Sequence, residues 1–165
     1  MKTIKLFAII GVLFFVINCS NKKEKDLVSY EDIVEIDLEP NLKISLFERL
    51  GGENGISSIV DDIVLAHLDN PEIKHVFLPL KENPEKFESF KTHVKEFLSS
   101  GTGGGAVYTG KDLPSAHKGL NTTEKEFMAA VDDILAVLNK HNIDEETKKD
   151  MLYILYSMKG AVIGL

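Results

Sequence analysis

The helical spacing of apolar residues from Ser45 onward is the feature that most constrains the fold of this chain. Apolar side chains recur there at intervals of three and four residues, the period of a helix with one buried face. Four stripes follow this spacing: Ile56, Ile59, Val60, Ile63, Val64 and His67; Phe87, Phe90, Val94, Phe97 and Leu98; Phe127, Ala130, Val131, Ile134, Leu135 and Leu138; and Met151, Leu152, Leu155, Met158 and Val162. The pattern predicts an all-α domain over residues 45–165, with four substantial helices and a short one near residues 113–118.

Local signals indicate where these helices begin and end. The Asp-Asn-Pro run at residues 69–71 predicts the end of the first helix, and Pro84 precedes the second stripe. Thr123 with Glu126 three residues later has the spacing of a capping box. Asp144 is a typical N-cap residue for the last helix.

A separate segment precedes the domain. Two lysines are followed by an apolar run at residues 6–17, which has the length of a signal-peptide core and is short for a transmembrane helix. The run ends just before Cys19 and resembles a bacterial lipobox, so residues 1–18 are predicted to be a signal peptide and Cys19 to be lipidated. Residues 19–44 would tether an exported lipoprotein to the periplasmic or cell-surface side of a membrane. Ser20 favours the outer membrane.

Charge and cysteine content argue against several classes of protein. The net charge is −7, and removal of residues 1–18, which contain Lys2 and Lys5 but no acidic residue, changes it to −9. An acidic chain without a Lys/Arg cluster argues against nucleic-acid binding. Cys19 is the only cysteine, which excludes a disulfide framework and a CxxC site. We expect a monomer that is attached to the membrane through its lipid alone.

The glycine-rich loop after the second stripe contains two sequences that resemble nucleotide-binding motifs. Gly101, Gly103 and Ala106 fit G-x-G-x-x-A, and residues 105–111 fit most of a P-loop. Both motifs need a β-strand before them and a helix start that binds phosphate. Here a helix precedes the loop, and Asp112 occupies the position of the P-loop Ser or Thr. We therefore interpret the loop as a helix end and a change of chain direction.

Two of the histidines flank this loop. His117 lies in a short segment after the glycines, and His93 lies at the edge of the phenylalanine stripe. Without cysteines or clustered acidic residues they fit a zinc site poorly. They match a flat apolar cofactor with an axial position on each face, which is haem; two histidines at a core margin remain the alternative. His67 and His141 are interpreted as helix-end residues that favour the helix dipole, and His75 as a solvated turn residue.

The order of four stretches gives a resemblance to a known family: SLFERLGGENGISSIVDDIVLAHLDNPEIKHVF, FKTHVKEFLSS, GGGAVYTGKDLPSAHKGL and EFMAAVDDILAVLNKHNI. Together they resemble a group 1 truncated haemoglobin from Ser45 to the end of the chain. The resemblance implies a two-over-two helical sandwich around haem b, with His117 as the proximal iron ligand and Phe77 against the porphyrin. His93 falls on a position that holds an iron-binding histidine in some cyanobacterial and algal members. The other pocket residues that it implies are Phe90, Val94, Phe97, Leu98, Leu113, Phe127 and Val131.

Two positions depart from the family pattern. Val64 stands where the family usually has a distal tyrosine, and Val94 where a glutamine usually assists. A polar donor there would stabilise bound O2 by roughly 1.5–3 kcal/mol, because the ligand carries partial negative charge. The valines therefore argue against tight O2 binding and efficient nitric-oxide dioxygenation. Two roles are open to His93: direct iron binding, which we prefer, or hydrogen bonding to a ligand.

Three functions follow from this pattern. The preferred one is a haem-b globin that reversibly binds O2, NO and CO, with a bis-histidyl six-coordinate haem and an electron-transfer or redox role involving a redox partner. An enzyme, either a nitric-oxide dioxygenase or a weak peroxidase, is the first alternative. The second is a haemless helical lipoprotein that binds another protein.

Overall fold

The computed structural model describes residues 44–165, and within them every regular element is a helix. In chain order these are α1 (Leu46–Arg49), α2 (Gly52–Asp69), α3 (Lys74–Lys81), α4 (Pro84–Gly101), α5 (Leu113–His117), α6 (Glu124–Lys140) and α7 (Glu145–Met158), followed by a 3₁₀ turn, Lys159–Ala161. This confirms the predicted all-α class. The predicted signal peptide, Cys19 and nearly all of the predicted tether lie outside the described residues.

The predicted helix ends agree with the structure. α2 ends at Asp69, and Pro84 is the first residue of α4. The Thr123 side chain accepts a hydrogen bond from the backbone N–H of Glu126, whose carboxylate accepts one from the backbone N–H of Thr123. Asp144 caps α7 by accepting from the backbone N–H of Thr147. Side chains next to the helices thus satisfy N–H groups that have no partner within the helix.

Two helices were not predicted, and both are short. α1 has four residues, too few to show an apolar period, although Ser45 and Glu48 form a capping box that the sequence contains. α3 has eight residues and includes Pro79, which removes a backbone donor and obscures the helical signal. His75 lies within α3, so its interpretation as a turn residue was wrong.

The core forms around α2, which packs against α1, α3, α4 and α6. α6 packs in turn against α7. The buried cluster consists of Leu50, Ile56, Ile59, Val60, Ile63, Val64, Val137, Leu138 and Met151. Burial of such side chains contributes about 1.5–3 kcal/mol each, so this cluster supplies much of the stability that fixes the helix positions.

The turn between α1 and α2 depends on glycine. Gly51 has a φ of +88° and Gly52 a φ of +64°, in the left-handed region where a Cβ is strained. A Cβ on Gly55 would clash with the carbonyl oxygen of Leu50. These glycines allow the tight connection between α1 and α2 while Leu50 stays buried at 1% exposure.

Helix α4 is oriented by charged and apolar contacts together. Lys91 and Lys95 pair with Asp61 of α2 at 3.3 and 3.0 Å. Phe87, Phe90, Val94 and Leu98 pack against the core cluster. His93 and Phe97, also on α4, contact the ring of Tyr108 in the loop after this helix. No helix between residues 44 and 165 has the length and apolar character needed to cross a bilayer.

Candidate functional site

Phe90 and His93 open onto a cavity beside the first half of α4. The cavity has a volume of about 570 Å³ and is wide open to solvent. Its lining consists of Leu80, Asn83, Glu85, Lys86, Ser89, Phe90, His93 and Lys111. The ring of Phe77 on α3 lies 5.9 Å from the ring of Phe90, centroid to centroid. Three of the predicted pocket residues are thus brought together at one place.

The imidazole of His117 is held by its own helix. Its Nδ1 lies 2.8 Å from the carbonyl oxygen of Leu113, one turn earlier. Because a carbonyl can only accept, Nδ1 carries the proton, and the neutral ring keeps Nε2 as a lone-pair donor. Asp112 caps this short helix by accepting from the backbone N–H of Ser115 at 2.9 Å. The ring is therefore oriented for metal binding through Nε2.

The segment after His117 is held by backbone hydrogen bonds with residues 164 and 165. The carbonyl oxygen of Leu165 accepts hydrogen bonds from the backbone N–H groups of Gly119, at 3.0 Å, and Asn121, at 2.8 Å. Gly164 donates to the carbonyl of Thr122 at 3.0 Å. A five-residue helix is marginal by itself, so these contacts help to hold His117 in place.

The other predicted pocket residues divide between the core and its margin. Val64 is 2% exposed and belongs to the core cluster, while Phe127 and Val131 on α6 are 7% and 2% exposed. Val94 and Leu98 are partly buried and pack against the same cluster. Leu113 and Phe97 are also only partly buried. Of all the predicted residues in 44–165, only Phe90 and His93 line the open cavity itself.

Tyr108, in the glycine-rich loop, was missed from the sequence and contacts the predicted site. Its ring lies 5.2 Å from the ring of Phe97 and 6.4 Å from that of His93, edge-on in both cases. Its hydroxyl donates a hydrogen bond to the carbonyl oxygen of Lys111 at 2.5 Å. Loop residues have no apolar period, so nothing in the sequence indicated which helix this ring would meet.

His67 is buried in a polar network between α2 and α6. Its Nδ1 lies 2.9 Å from a carboxylate oxygen of Asp133, and Asn70 donates to the other oxygen at 2.9 Å. The imidazole ring is 5.0 Å from the ring of Phe77. Burial lowers the pKa of His67, although Asp133 acts in the opposite direction. His67 lies in the last turn of α2, as predicted. Its pairing with Asp133 was not predicted, although its place on the first apolar stripe was a signal of its burial.

The remaining histidines pair with acidic residues away from this site. His75 Nε2 is 3.2 Å from a carboxylate oxygen of Glu126, and the side chain is largely exposed. His141, at the C-terminal end of α6, has its Nε2 2.7 Å from Asp62. Within residues 44–165, no group of three or more His, Cys, Asp or Glu side chains is arranged to bind a metal ion.

Solved structures with the same fold define the class of this protein. The Fe(III) form of the truncated hemoglobin from Tetrahymena pyriformis matches it with a TM-score of 0.67 at 24% identity, covering 73% of this chain and 99% of that one. The 2/2 hemoglobin from Synechococcus sp. PCC 7002, in the cyanomet state, matches with a TM-score of 0.61 at 21% identity, covering 70% and 93%. The fold is therefore the two-over-two helical fold of truncated haemoglobins, as predicted.

Sequence comparison then gives the family. The model of the family described as bacterial-like globin matches residues 45–163, and the chain belongs to this family. A group 1 truncated hemoglobin of Tetrahymena pyriformis is 29% identical over 119 residues, which cover 66% of this chain and 94% of that protein. One from Synechocystis sp. is 31% identical over 108 residues, covering 62% and 82%. The resemblance to group 1 truncated haemoglobins is confirmed.

The residues present fit the haem group that a globin fold implies. His117 offers an Nε2 lone pair, because its other ring nitrogen is committed to the carbonyl of Leu113. Phe90 and His93 line an open cavity, and Phe77 stands against Phe90. Phe77 and Phe90 are partly exposed aromatic side chains that a flat apolar group would cover, while most of the other residues that line the cavity are polar. A donor set of two imidazoles also suits haem iron.

Proposed function

We propose that this protein is a haem-b-binding globin that reversibly binds diatomic gases such as O2, NO and CO. The observation that carries the proposal is the hydrogen bond from His117 Nδ1 to Leu113, in a chain of the globin family. That bond fixes the tautomer and direction of the imidazole that would bind the iron. When bound, the haem would supply the iron at which a gas ligand is held.

The chain's own residues would orient the haem and exclude water from it. Phe77 and Phe90 would pack against the porphyrin, and Phe127 and Val131 would cover it from α6. Val64 and Val94 would keep the distal side apolar, because neither can donate a hydrogen bond. An apolar distal side discriminates little between O2, CO and NO, which favours general gas binding over efficient nitric-oxide dioxygenation.

We further propose that His93 binds the sixth position of the iron when no external ligand is present. Its imidazole lines the cavity and forms no hydrogen bond with another residue of the described part of the chain. Neither Val64 nor Val94 has a polar group to compete for it, and the nearby carboxylate of Glu96 is already hydrogen-bonded to Thr109. A bis-histidyl haem suits electron exchange with a redox partner, since little has to rearrange when the oxidation state changes.

A haem titration of the purified protein, followed by the Soret absorption, tests the proposal. We expect one haem per chain for the unmodified protein, and for His93→Ala, which keeps the proximal ligand. His117→Ala should lose tight binding. His75→Ala is the matched control, because His75 is an exposed imidazole paired with Glu126 on the outside of α3. Unchanged haem binding by His117→Ala would contradict the assignment, and the lack of any Soret band would support a haemless lipoprotein.

A further inference from the structure

We propose that Tyr108 is a positioning residue for His93 and favours its binding to the sixth site of the haem. Its ring limits the conformations of the imidazole to those that face the cavity. The loop segment of residues 104–112, here called the strap, holds Tyr108 in that place. This inference rests on the proposed bis-histidyl haem. It gives Tyr108 the role of setting the fraction of molecules in which His93 is bound to the iron.

The strap is attached to α4 along its length. Glu96 of α4 accepts two hydrogen bonds from Thr109, one from its backbone N–H at 3.0 Å and one from its hydroxyl at 2.7 Å. These bonds, the hydroxyl first, hold the pKa of Glu96 below its usual range, so the carboxylate stays charged. Near the start of the strap, a Cβ on Gly104 would clash with Ser99 and Phe47, so the backbone lies directly on them.

The ring of Tyr108 is fixed on three sides. Phe97 meets it edge-on at 5.2 Å, and the hydroxyl is hydrogen-bonded to the carbonyl of Lys111. A Cβ on Gly110 would lie 2.6 Å from Cζ of the tyrosine, so the ring packs directly on the strap's own backbone. Burial, with the charges of Asp112 and Glu96, raises the pKa of Tyr108 and keeps its hydroxyl protonated as a donor. The ring therefore has little freedom to move.

His93 faces this fixed ring from α4. The two rings lie edge to face at 6.4 Å, within the range of favourable aromatic pairs. A helical side chain has few rotamers, and a ring that blocks one of them raises the population of the others. His93 also lines the open cavity beside Phe90. In the proposed function the haem lies against Phe90, so the conformations left to the imidazole would be those that reach the haem. Restricting them lowers the entropic cost of iron binding.

The test compares ring-removing and ring-displacing variants of the full chain reconstituted with haem. Tyr108→Ala removes the ring, and Gly110→Ala should push it away without removing it. We expect both to raise the high-spin fraction of the ferric absorption spectrum and to speed CO binding to the ferrous protein roughly two- to tenfold, the effect of losing one aromatic pair. Tyr108→Phe, which keeps the ring, should restore both values toward those of the unmodified protein. Val107→Ala is the control, because Val107 is the 78%-exposed neighbour of Tyr108.

Two results would overturn the proposal. Tyr108→Ala with an unchanged spectrum and CO rate would show that the ring does not position His93, and so would Tyr108→Phe behaving like Tyr108→Ala. If the unmodified protein is already high-spin and His93→Ala changes nothing, the bis-histidyl proposal itself has failed. His93→Ala therefore separates failure of the bis-histidyl proposal, which removes the basis of the positioning role, from failure of the positioning role alone.

Discussion

Among single residues, the two valines proposed for the distal side, Val64 and Val94, should determine how tightly O2 binds. Val94 lies on α4 next to His93 and is partly buried, so it tolerates a longer polar side chain better than the fully packed Val64. We expect Val94→Gln to slow O2 dissociation by about tenfold or more, because the amide donates a hydrogen bond to a ligand with partial negative charge. Val94→Leu, of similar size but without a donor, should leave the rate nearly unchanged. Stopped-flow O2 displacement by CO measures both rates, and equal rates would contradict the account of an apolar distal side.

His67 is the residue whose ionisation should be visible in stability. Its pKa in the folded protein lies below the ordinary value of 6.5, mainly because of burial. The folded state therefore holds fewer protons than the unfolded state as pH falls below about 6.5. The contribution of this neutral imidazole is complete above that pH and is lost as pH falls through the lowered pKa.

We expect the free energy of unfolding to decrease from pH 7.5 to pH 5.5, and to decrease less in His67→Gln. Glutamine can still donate to Asp133 but does not titrate, so this variant should be about 1 kcal/mol less stable at pH 7.5 and closer to the unmodified protein at pH 5.5. Urea unfolding at the two pH values measures this. His75→Gln is the control, since His75 is exposed on α3. The same pH dependence in His67→Gln and in the unmodified protein would show that His67 is not the group responsible.

Among the helices, the short α5, which ends at His117, depends on the segment that follows it. Gly119 has a φ of +86°, and a Cβ there would meet no other atom within 4 Å, so an alanine would add backbone strain without a clash. We expect Gly119→Ala to lower stability by about 1 kcal/mol, the cost of a Cβ at a positive φ. It should also speed haem loss, because the strain falls on a residue whose N–H ties the segment after His117 to Leu165. Transfer of haem to an excess of apomyoglobin measures the loss. Gly160→Ala is the control, because its Cβ would also be unobstructed while its φ is not positive; equal haem loss from the two variants would contradict the role of this turn.

The elements also show which parts of the structure a sequence can predict. α2, α4, α6 and α7 are long enough for an apolar period, so their positions and caps follow from local residues. α1 and α3 are too short for a period, and Pro79 weakens the signal of α3 further. Elements that rely on neighbours for stability leave little trace in their own residues.

The candidate site likewise contains residues that have a local sequence signal and contacts that depend on helix packing alone. His93 and His117 could be proposed as site residues from the sequence because they flank a loop and lie on or beside apolar stripes. The pairing of His67 with Asp133 joins residues 66 positions apart, and Tyr108 reaches His93 only through the path of the strap. Contacts of this kind depend on how helices pack, and the residue types alone do not specify them.

At the scale of the whole molecule, the N-terminal segment should decide where the globin domain is held. The proposal that Cys19 carries a lipid rests on the sequence of residues 1–20 alone. We expect Cys19→Ser to move the protein from the membrane fraction to the soluble fraction of the host bacterium, because acylation requires the thiol. Fractionation with immunodetection measures this, and Ser20→Ala should remain membrane-bound. A membrane-bound Cys19→Ser would contradict a lipid anchor at this residue.

The main proposal for this protein is that His117 and His93 both bind the haem iron. Low-temperature electron paramagnetic resonance of the ferric protein tests it most directly, since the signal reports the axial ligands of the iron. We expect a low-spin signal of a bis-imidazole haem in the unmodified protein and a high-spin signal in His93→Ala. A high-spin signal from the unmodified protein, or a low-spin signal that persists unchanged in His93→Ala, would contradict it.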